Sequence, residues 1–455
     1  MRTTSLIATL GCVLLGGALS AHAQQAPATP VAPTVPAAPG DAAAPAGTPE
    51  GSAAAPAVAE PTAATEAPAP AGPEAPAASL TPVADETPAP AAPEAAPAAE
   101  PTSGYAKGFF VQSEDGLFRL EIGARVQARY VFEAVEAAPN ESAFSIARAR
   151  LTLSGHVFSE DLTYKFQSDF GKGFVTLKDF YADYAFVPGT FQLRAGQWKR
   201  PFSRQQITSS GKQELVDRAT TDAAFGAGRD IGIAIHNDYE KSPEFEYALG
   251  IFNGTGEKPL FSGDVTVDPA TGEGGVSGGA FSNVPDTLHP ALVLRVGYNH
   301  GGIKGYSEAD LEGGPFRASV AASGLADLDA DDDDASSLKA ELDYIVKVEG
   351  FSSTGAVYVS SAQSGPGFSD RALEALGLHL QLGYVIGELV QPVARYSLVA
   401  PDGADNDSHE ILGGVGFYFW GHDVKWQTDG GALLTEAPGG TAKDYRVRTQ
   451  LQLAF

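Results

Sequence analysis

From residue 118 onward the chain alternates. Phe118, Leu120, Ile122, Ala124, Val126, Ala128, Tyr130 and Phe132 fall on one face of an extended segment, and Arg119, Glu121, Gly123, Arg125, Gln127 and Arg129 fall on the other. Successive side chains of a strand point to opposite sides, so this spacing predicts one apolar and one charged face. The next segment sets Ala147, Ala149, Leu151, Leu153 and Val157 against Arg148, Arg150, Thr152, Ser154 and His156. Leu162, Tyr164, Phe166, Ser168 and Phe170 then alternate with Lys165, Gln167 and Asp169, and Phe180, Ala182, Tyr184 and Phe186 with Asp179, Tyr181 and Asp183. Similar segments begin near Phe191, Arg229, Glu244, Ala291, Pro315, Ser337, Ser352, Leu373, Leu389, Glu410 and Asp423. The last, 445–455, places Tyr445, Val447, Thr449, Leu451, Leu453 and Phe455 opposite Arg446, Arg448, Gln450, Gln452 and Ala454. No stretch after residue 24 has the roughly 18 unbroken apolar residues of a membrane helix. Repeated strands between lipid and a wet interior predict an all-β fold, a transmembrane antiparallel β-barrel of about 16 strands.

The connections alternate too. If the first strand rises from the periplasm, even connections face the periplasm and read short: 159–161, 188–189, 238–243, 349–350, 387–388 and 421–422. Odd ones include the long stretches 199–228, 254–288, 325–336, 361–372, 399–408 and 430–442. Short periplasmic turns and longer outer loops are the rule for such barrels. Connection 300–314 breaks it, being long where a short turn is due; either the turn is unusual or the strand count is off there. Aromatic residues gather at the expected strand ends (Tyr130 and Phe132, Tyr184 and Phe186, Phe417 to Trp420), as interfacial girdles require.

The first hundred residues are of another kind. A single charge, Arg2, precedes the apolar run from Leu6 to Leu19, and Ala21-His22-Ala23 supplies small residues at cleavage positions, so residues 1–23 are expected to be a signal peptide. Cys12, the only cysteine, lies inside that run, which leaves no thiol for disulfides or metal. Residues 24–103 are Ala/Pro-rich with nine acids and no Lys or Arg. Recurrent proline and little to bury predict a disordered periplasmic linker, a spacer able to reach peptidoglycan, ahead of a barrel domain over 104–455. Removing the nine linker acids and Arg2 from the chain's net charge of −26 leaves −18 for that domain. Such acidity argues against nucleic-acid partners, while the sign of a pore depends on where charges sit.

The register implies inward cations at Arg119, Arg125, Arg129, Arg148, Arg150, Lys165, Arg194, Arg295, Arg317, Arg395, Arg446 and Arg448. Several lie on the first, second and last strands, which are neighbours in a closed barrel. They read either as a basic stripe that attracts anions or as partners of inward acids such as Glu121, Asp169, Asp183, Glu341 and Asp343. Connection 199–228 is too long for a hairpin, and long loops of this kind are usually functional. Folded inward it would bring Arg200, Arg204, Lys212, Arg218 or Arg229 to a constriction; otherwise it packs over the rim.

The terminal Phe behind alternating apolar residues resembles the C-terminal signature of bacterial outer-membrane barrels. Phe144-Ser145-Ile146-Ala147-Arg148-Ala149-Arg150-Leu151 resembles the corresponding strand of the phosphate-selective porin O and P family. So do Tyr164-Lys165-Phe166-Gln167, Lys178-Asp179-Phe180-Tyr181-Ala182-Asp183-Tyr184, Arg194-Ala195-Gly196-Gln197-Trp198-Lys199 with Pro201-Phe202, Thr208-Ser209-Ser210, and Gly228-Arg229-Asp230-Ile231-Gly232. The likeness runs from about Leu117 to Gly254. It implies a sixteen-stranded trimeric channel in the outer membrane, facing lipid and lipopolysaccharide, narrowed by its third outer loop and conducting small anions along arginines, with no cofactor.

The fifth outer connection departs from that pattern: where phosphate channels place lysines, residues 327–334 read Asp-Leu-Asp-Ala-Asp-Asp-Asp-Asp. Pointing inward, this run would repel phosphate and favour a general or cation-preferring porin. Asp327, Asp329 and Asp331 also have the spacing that opens a calcium loop, but Asp332 stands where its glycine belongs and Leu338 where its closing Glu belongs. No Gly-x-Ser-x-Gly elbow is present, and His156, His236, His379 and His422 stand singly, so enzyme readings are weak. A structural barrel tethered to the cell wall by the linker is the other class.

Overall fold

The computed structural model describes residues 102–105, 108–136, 138–257, 260–267, 274–285, 287–328, 336–363, 373–402 and 406–455. The expected signal peptide and all but the end of the linker lie outside these residues, as does most of the acidic run, including Asp329 and Asp331.

Sixteen antiparallel strands form the barrel: β1 Arg119–Ala134, β2 Glu141–Val157, β3 Ser159–Asp169, β4 Thr176–Val187, β5 Phe191–Lys199, β6 Arg229–His236, β7 Phe245–Phe252, β8 Ala291–His300, β9 Arg317–Asp327, β10 Ser336–Val348, β11 Phe351–Gln363, β12 Leu373–Tyr384, β13 Val390–Pro401, β14 Ser408–Trp420, β15 Val424–Ala437 and β16 Gly440–Ala454. Every one pairs with its sequence neighbours. β16 pairs back onto β1, from Tyr445 opposite Ala134 to Ala454 opposite Arg125, which closes the sheet. Closure is what lets strands cross lipid with no backbone group left unpaired. The terminal Phe455 exchanges both backbone hydrogen bonds with Ala124, at 2.9 and 3.0 Å. A short hairpin, Ser103–Tyr105 with Phe109–Gln112, continues along the edge of β1 beyond the end of β16.

The sheet is built inside out. Apolar side chains such as Val126, Phe180, Leu294, Leu342, Leu382, Ile411 and Leu453 are exposed on the outer face, and the buried groups are mostly polar or charged. The faces match the alternation, with interruptions where a strand bulges, two of them well inside the ladders. β2 carries an extra residue between the partners of Gln127 and Ala128, and β4 one between the partners of Gln167 and Ser168. A bulge shifts the alternation by one. It lets Phe144 and Ile146 face outward while Arg148, two residues on, faces inward beside Gln127.

One end of the barrel carries tight turns. Glu349 and Gly350 both have positive φ, 48° and 88°, as a two-residue turn between right-twisted strands requires. Connection 301–316 lies at this end and is long without adding a strand, so the sixteen strands stand and the turn is the unusual feature. At the opposite end β15 runs to Ala437 and β16 resumes at Gly440, so the long loop expected over 430–442 is instead a tight hairpin. A second outer hairpin, Leu260–Val267 with Gly274–Ser282, rises from the connection between β7 and β8.

Candidate pore constriction

Connection 200–228 folds into the barrel. Its two short helices, α1 Arg204–Ile207 and α2 Thr220–Phe225, and the chain between them touch inward side chains from β1 to β16. Three kinds of contact seat it. The first is apolar. Phe202 and Phe225 are fully buried in a cluster with Trp198, Phe252, Val293, Leu325 and Tyr358, and Phe225 stacks on Tyr358 at 5.3 Å. A dry core inside a membrane barrel is what anchors a loop against a wet lumen. Second, glycines on the wall make room: a Cβ at Gly377 would lie 2.4 Å from the Phe225 ring, and one at Gly414 2.7 Å from Leu215. Third, polar wall groups close the loop's backbone. Gln427 donates to the Gln213 and Glu214 carbonyls at 2.9 and 2.6 Å, Lys425 to the Gln213 carbonyl at 2.6 Å, and Arg395 to the Asp217 and Arg218 carbonyls at 2.9 and 3.0 Å.

The basic residues of β16, β1 and β2 form one continuous wall facing this loop. Arg129 donates to Asp217 at 2.6 Å, Arg148 reaches the same carboxylate at 3.3 Å, and Arg448 approaches it at 3.7 Å while pairing with Asp429 at 2.7 Å. Burial alone would raise the Asp217 carboxyl, but Arg129, Arg148 and Arg448 overcome it and hold the group well below the usual carboxylate range. Arg125 donates to hydroxyls, Ser209 at 2.9 Å and Ser210 at 3.1 Å. Arg150 pairs with Asp169 at 2.8 Å. Farther round, Lys165 and Arg229 share Asp179 at 2.9 and 2.7 Å, and Lys199 donates to the Ile207 and Thr208 carbonyls.

The remaining sequence candidates are placed as anchors. Arg204 is buried, held by Asp343 at 2.7 Å, the Gly305 carbonyl and Ser319, which pins α1 to β9 and β10. Arg200 donates to the Ala227 carbonyl and Arg218 to those of Gln205, Gln206 and Thr208, so both tie the loop to itself. These bonds fix the side chains within the folded loop and against the wall. Lys212 keeps the loop in register through its carbonyl, which accepts from the Glu308 amide at 3.1 Å. Arg194 pairs with Asp183 and Glu240, Arg119 with Glu121, and Arg446 with Glu133 near the rim. Asp327 ends β9.

Two features escaped the sequence. Asp217, the shared carboxylate, stood unremarked within a long loop. Connection 301–316 folds inward from the turn end, burying Ile303, Tyr306, Glu308 and Asp310, and meets the constriction loop inside the barrel. Its length was the only signal.

A closed sixteen-stranded barrel with a long outer loop folded into its lumen defines an outer-membrane channel of the porin type, rather than an enzyme. Residues 120–284 match the family model described as phosphate-selective porin O and P. The barrel aligns with an anion-selective porin from Comamonas acidovorans at a TM-score of 0.51 and 11% identity, covering 74% of this chain and 99% of that one; at this identity the likeness is one of fold. The outer-membrane channel DcaP of Acinetobacter baumannii aligns with a TM-score of 0.48 and 14% identity, over 76% of this chain and 99% of that one. An uncharacterized protein of Aquifex aeolicus (strain VF5) is 26% identical over 300 residues, which is 60% of this chain and 66% of that protein. The match thus spans just under two thirds of the length of that relative.

Proposed function

We propose that the barrel passes small polar solutes by diffusion and prefers anions, phosphate-like or other inorganic ones. They would be drawn along the wall of β16, β1 and β2 and limited in size by loop 200–228. The observation that carries this reading is the local excess of cations. Arg129, Arg148 and Arg448 converge on Asp217, Arg448 also pairs with Asp429, and Arg125 has hydroxyl partners and Lys199 carbonyl partners. In a narrow lumen with low-dielectric walls such an excess is focused rather than screened, and successive weak sites of one sign favour conduction of the opposite sign.

The resemblance to the family supports a homotrimer, with lipid and lipopolysaccharide outside. The composition of residues 24–103 supports a periplasmic tether in contact with peptidoglycan. A general or cation-preferring porin is the second reading, favoured by the net −18 of the domain and the acidic run at 327–334.

The test is the reversal potential of single channels across a KCl gradient. Wild type is compared with an Arg125→Gln/Arg148→Gln variant, which leaves Arg129 to hold Asp217. Anion selectivity that falls in the variant is the expected result. Cation selectivity of the wild-type channel overturns the anion reading.

A further inference from the structure

Inside the barrel the outer loop and the inward turn meet through two carboxyl groups. The Glu214 amide donates to Glu308 Oε2 at 2.9 Å, and the Glu308 amide donates to the Lys212 carbonyl at 3.1 Å. Gln381 Nε2 donates to Glu214 Oε2 at 2.7 Å and to Glu308 Oε2 at 3.0 Å, so the two acids converge on one nitrogen. Both are buried, with 2% and 5% of their surface exposed. Glu214 Oε1 accepts from Ser352 and from Gln391 at 2.6 Å, and Gly383 leaves space for it, since a Cβ there would lie 2.8 Å from Oε1. The site is thus built to hold the Glu214 carboxyl in place, with the Lys425 and Lys347 charges acting on it but no salt bridge to it among the described residues.

Most charged and titratable groups around the pair have their hydrogen bonds and ion pairs elsewhere, although the Lys425 charge acts on both acids and the Lys347 charge on Glu214. Lys425 donates to the Gln213 carbonyl, and Lys347 to the Lys304 carbonyl at 3.3 Å. Asp310 is held by Arg317 and the Gly350 amide, and the Tyr418 hydroxyl donates to Gln391 at 2.6 Å. Arg395 beside Gln381 pairs with Glu410. His422, in the turn after β14, shares a hydrogen bond with Ser307; burial and then Lys425, Lys212 and Lys347 push it well below its usual range, so it stays neutral near pH 7. The Lys212 side chain belongs to the same surroundings, as its charge acts on His422.

We propose that Glu214 and Glu308 form a proton-dependent latch between the constriction loop and the inward turn, docked while the pair holds a proton and loosened once both acids are ionised. Two carboxylates this close cannot both ionise without repulsion. Burial first, and the Glu308 charge second, raise the Glu214 carboxyl from its ordinary 4.5 to about 7. The sign follows: docking is at full strength below the ordinary value, weakens as pH rises between the two, and has lost this contribution above about 7. The inference stands on the channel class and is independent of which ions pass.

The experiment is hydrogen exchange read by mass spectrometry, on the full chain in lipid nanodiscs at pH 5 and pH 8, corrected for the intrinsic pH dependence of exchange. Peptides covering 209–216 and 303–310 should exchange on the order of tenfold or more faster at pH 8. In Glu214→Gln and Glu308→Gln, near-isosteric variants that each remove one charge of the pair, the difference in exchange between the two pH values should disappear from both segments. Equal protection of the wild type at the two pH values overturns the latch, and so does a pH response that survives in both variants. Because exchange reads docking directly, a barrel that conducted cations, or nothing, would still decide the question.

Discussion

At the scale of single residues, the site depends on which charges are matched. Asp217 carries more guanidinium contacts than one carboxylate can neutralise, and 32% of its side chain remains exposed to the lumen. Replacing Asp217 by Asn removes a negative charge from the basic wall and the ion pairs that hold the loop to it. The expected result is a channel more anion-selective by reversal potential, with loop docking weaker on the order of 1 kcal/mol after allowing for solvent screening. The pH dependence of this contact has the opposite sign to that of the Glu214 latch. A depressed carboxyl contributes above its ordinary value of 3.8 and loses that contribution only as pH falls through its lowered one. Between pH 5 and 8 the Asp217 contact is therefore constant, and the part of any pH dependence of conductance that comes from Glu214 should be missing from a Glu214→Gln channel. Gly377 is a different kind of determinant. A side chain there would occupy the place of the Phe225 ring. Gly377→Val is expected to unseat α2 from its stack on Tyr358 at a cost of roughly 1–3 kcal/mol, visible as faster exchange in peptides covering 220–225 while the barrel strands keep their protection.

At the scale of elements, the strands were legible because lipid imposes a strict rule. Each outward position must be apolar and each strand must pair on both sides, so all sixteen strands announce themselves by period two. The bulges in β2 and β4 were not legible: Phe144 and Arg148 have the same parity, and only pairing against β1 shows that the chain changes face between them. The fate of loop 200–228 stayed open for a related reason. Arg200, Arg204 and Arg218 look alike as letters whether they meet a solute or a carbonyl, and their partners Asp343 and Ala227 depend on long-range geometry. The loop's own signal lay in its apolar residues. Phe202 is fully buried against Trp198 and Tyr358 inside a barrel expected to be wet, which makes that small core the element's foundation. Phe202→Ala should cost about 3–5 kcal/mol of local packing. Since the strands draw their stability from the closed hydrogen-bonded sheet, the loss should be local. Proteolytic nicking of 200–228 is expected in the variant under conditions where the wild-type loop is resistant, with the barrel unchanged in resistance to heat.

At the scale of the whole molecule, two charge distributions of opposite sign coexist. Residues 104–455 carry a net −18, yet the wall of β16, β1 and β2 holds more cations than anions around the loop. Ions sense these in proportion to distance and screening. Charges on the exterior are damped beyond about 10 Å at 0.1 M salt and about 3 Å at 1 M, while charges inside a narrow, partly dry lumen are damped less. If the wall governs permeation, anion selectivity should survive the change from 0.1 M to 1 M mean KCl at a fixed gradient, falling by no more than a few-fold. If the acidic exterior governs it, the low-salt channel should favour cations and lose that preference at high salt. The comparison separates the two sources without a mutation. Repeating it on a chain lacking residues 24–99 tests the tether as well, because those residues contribute eight of the nine linker acids. A spacer in the periplasm should leave the reversal potential unchanged at both salt concentrations, whereas a segment that sits at the pore mouth should shift the low-salt value toward anions when it is removed.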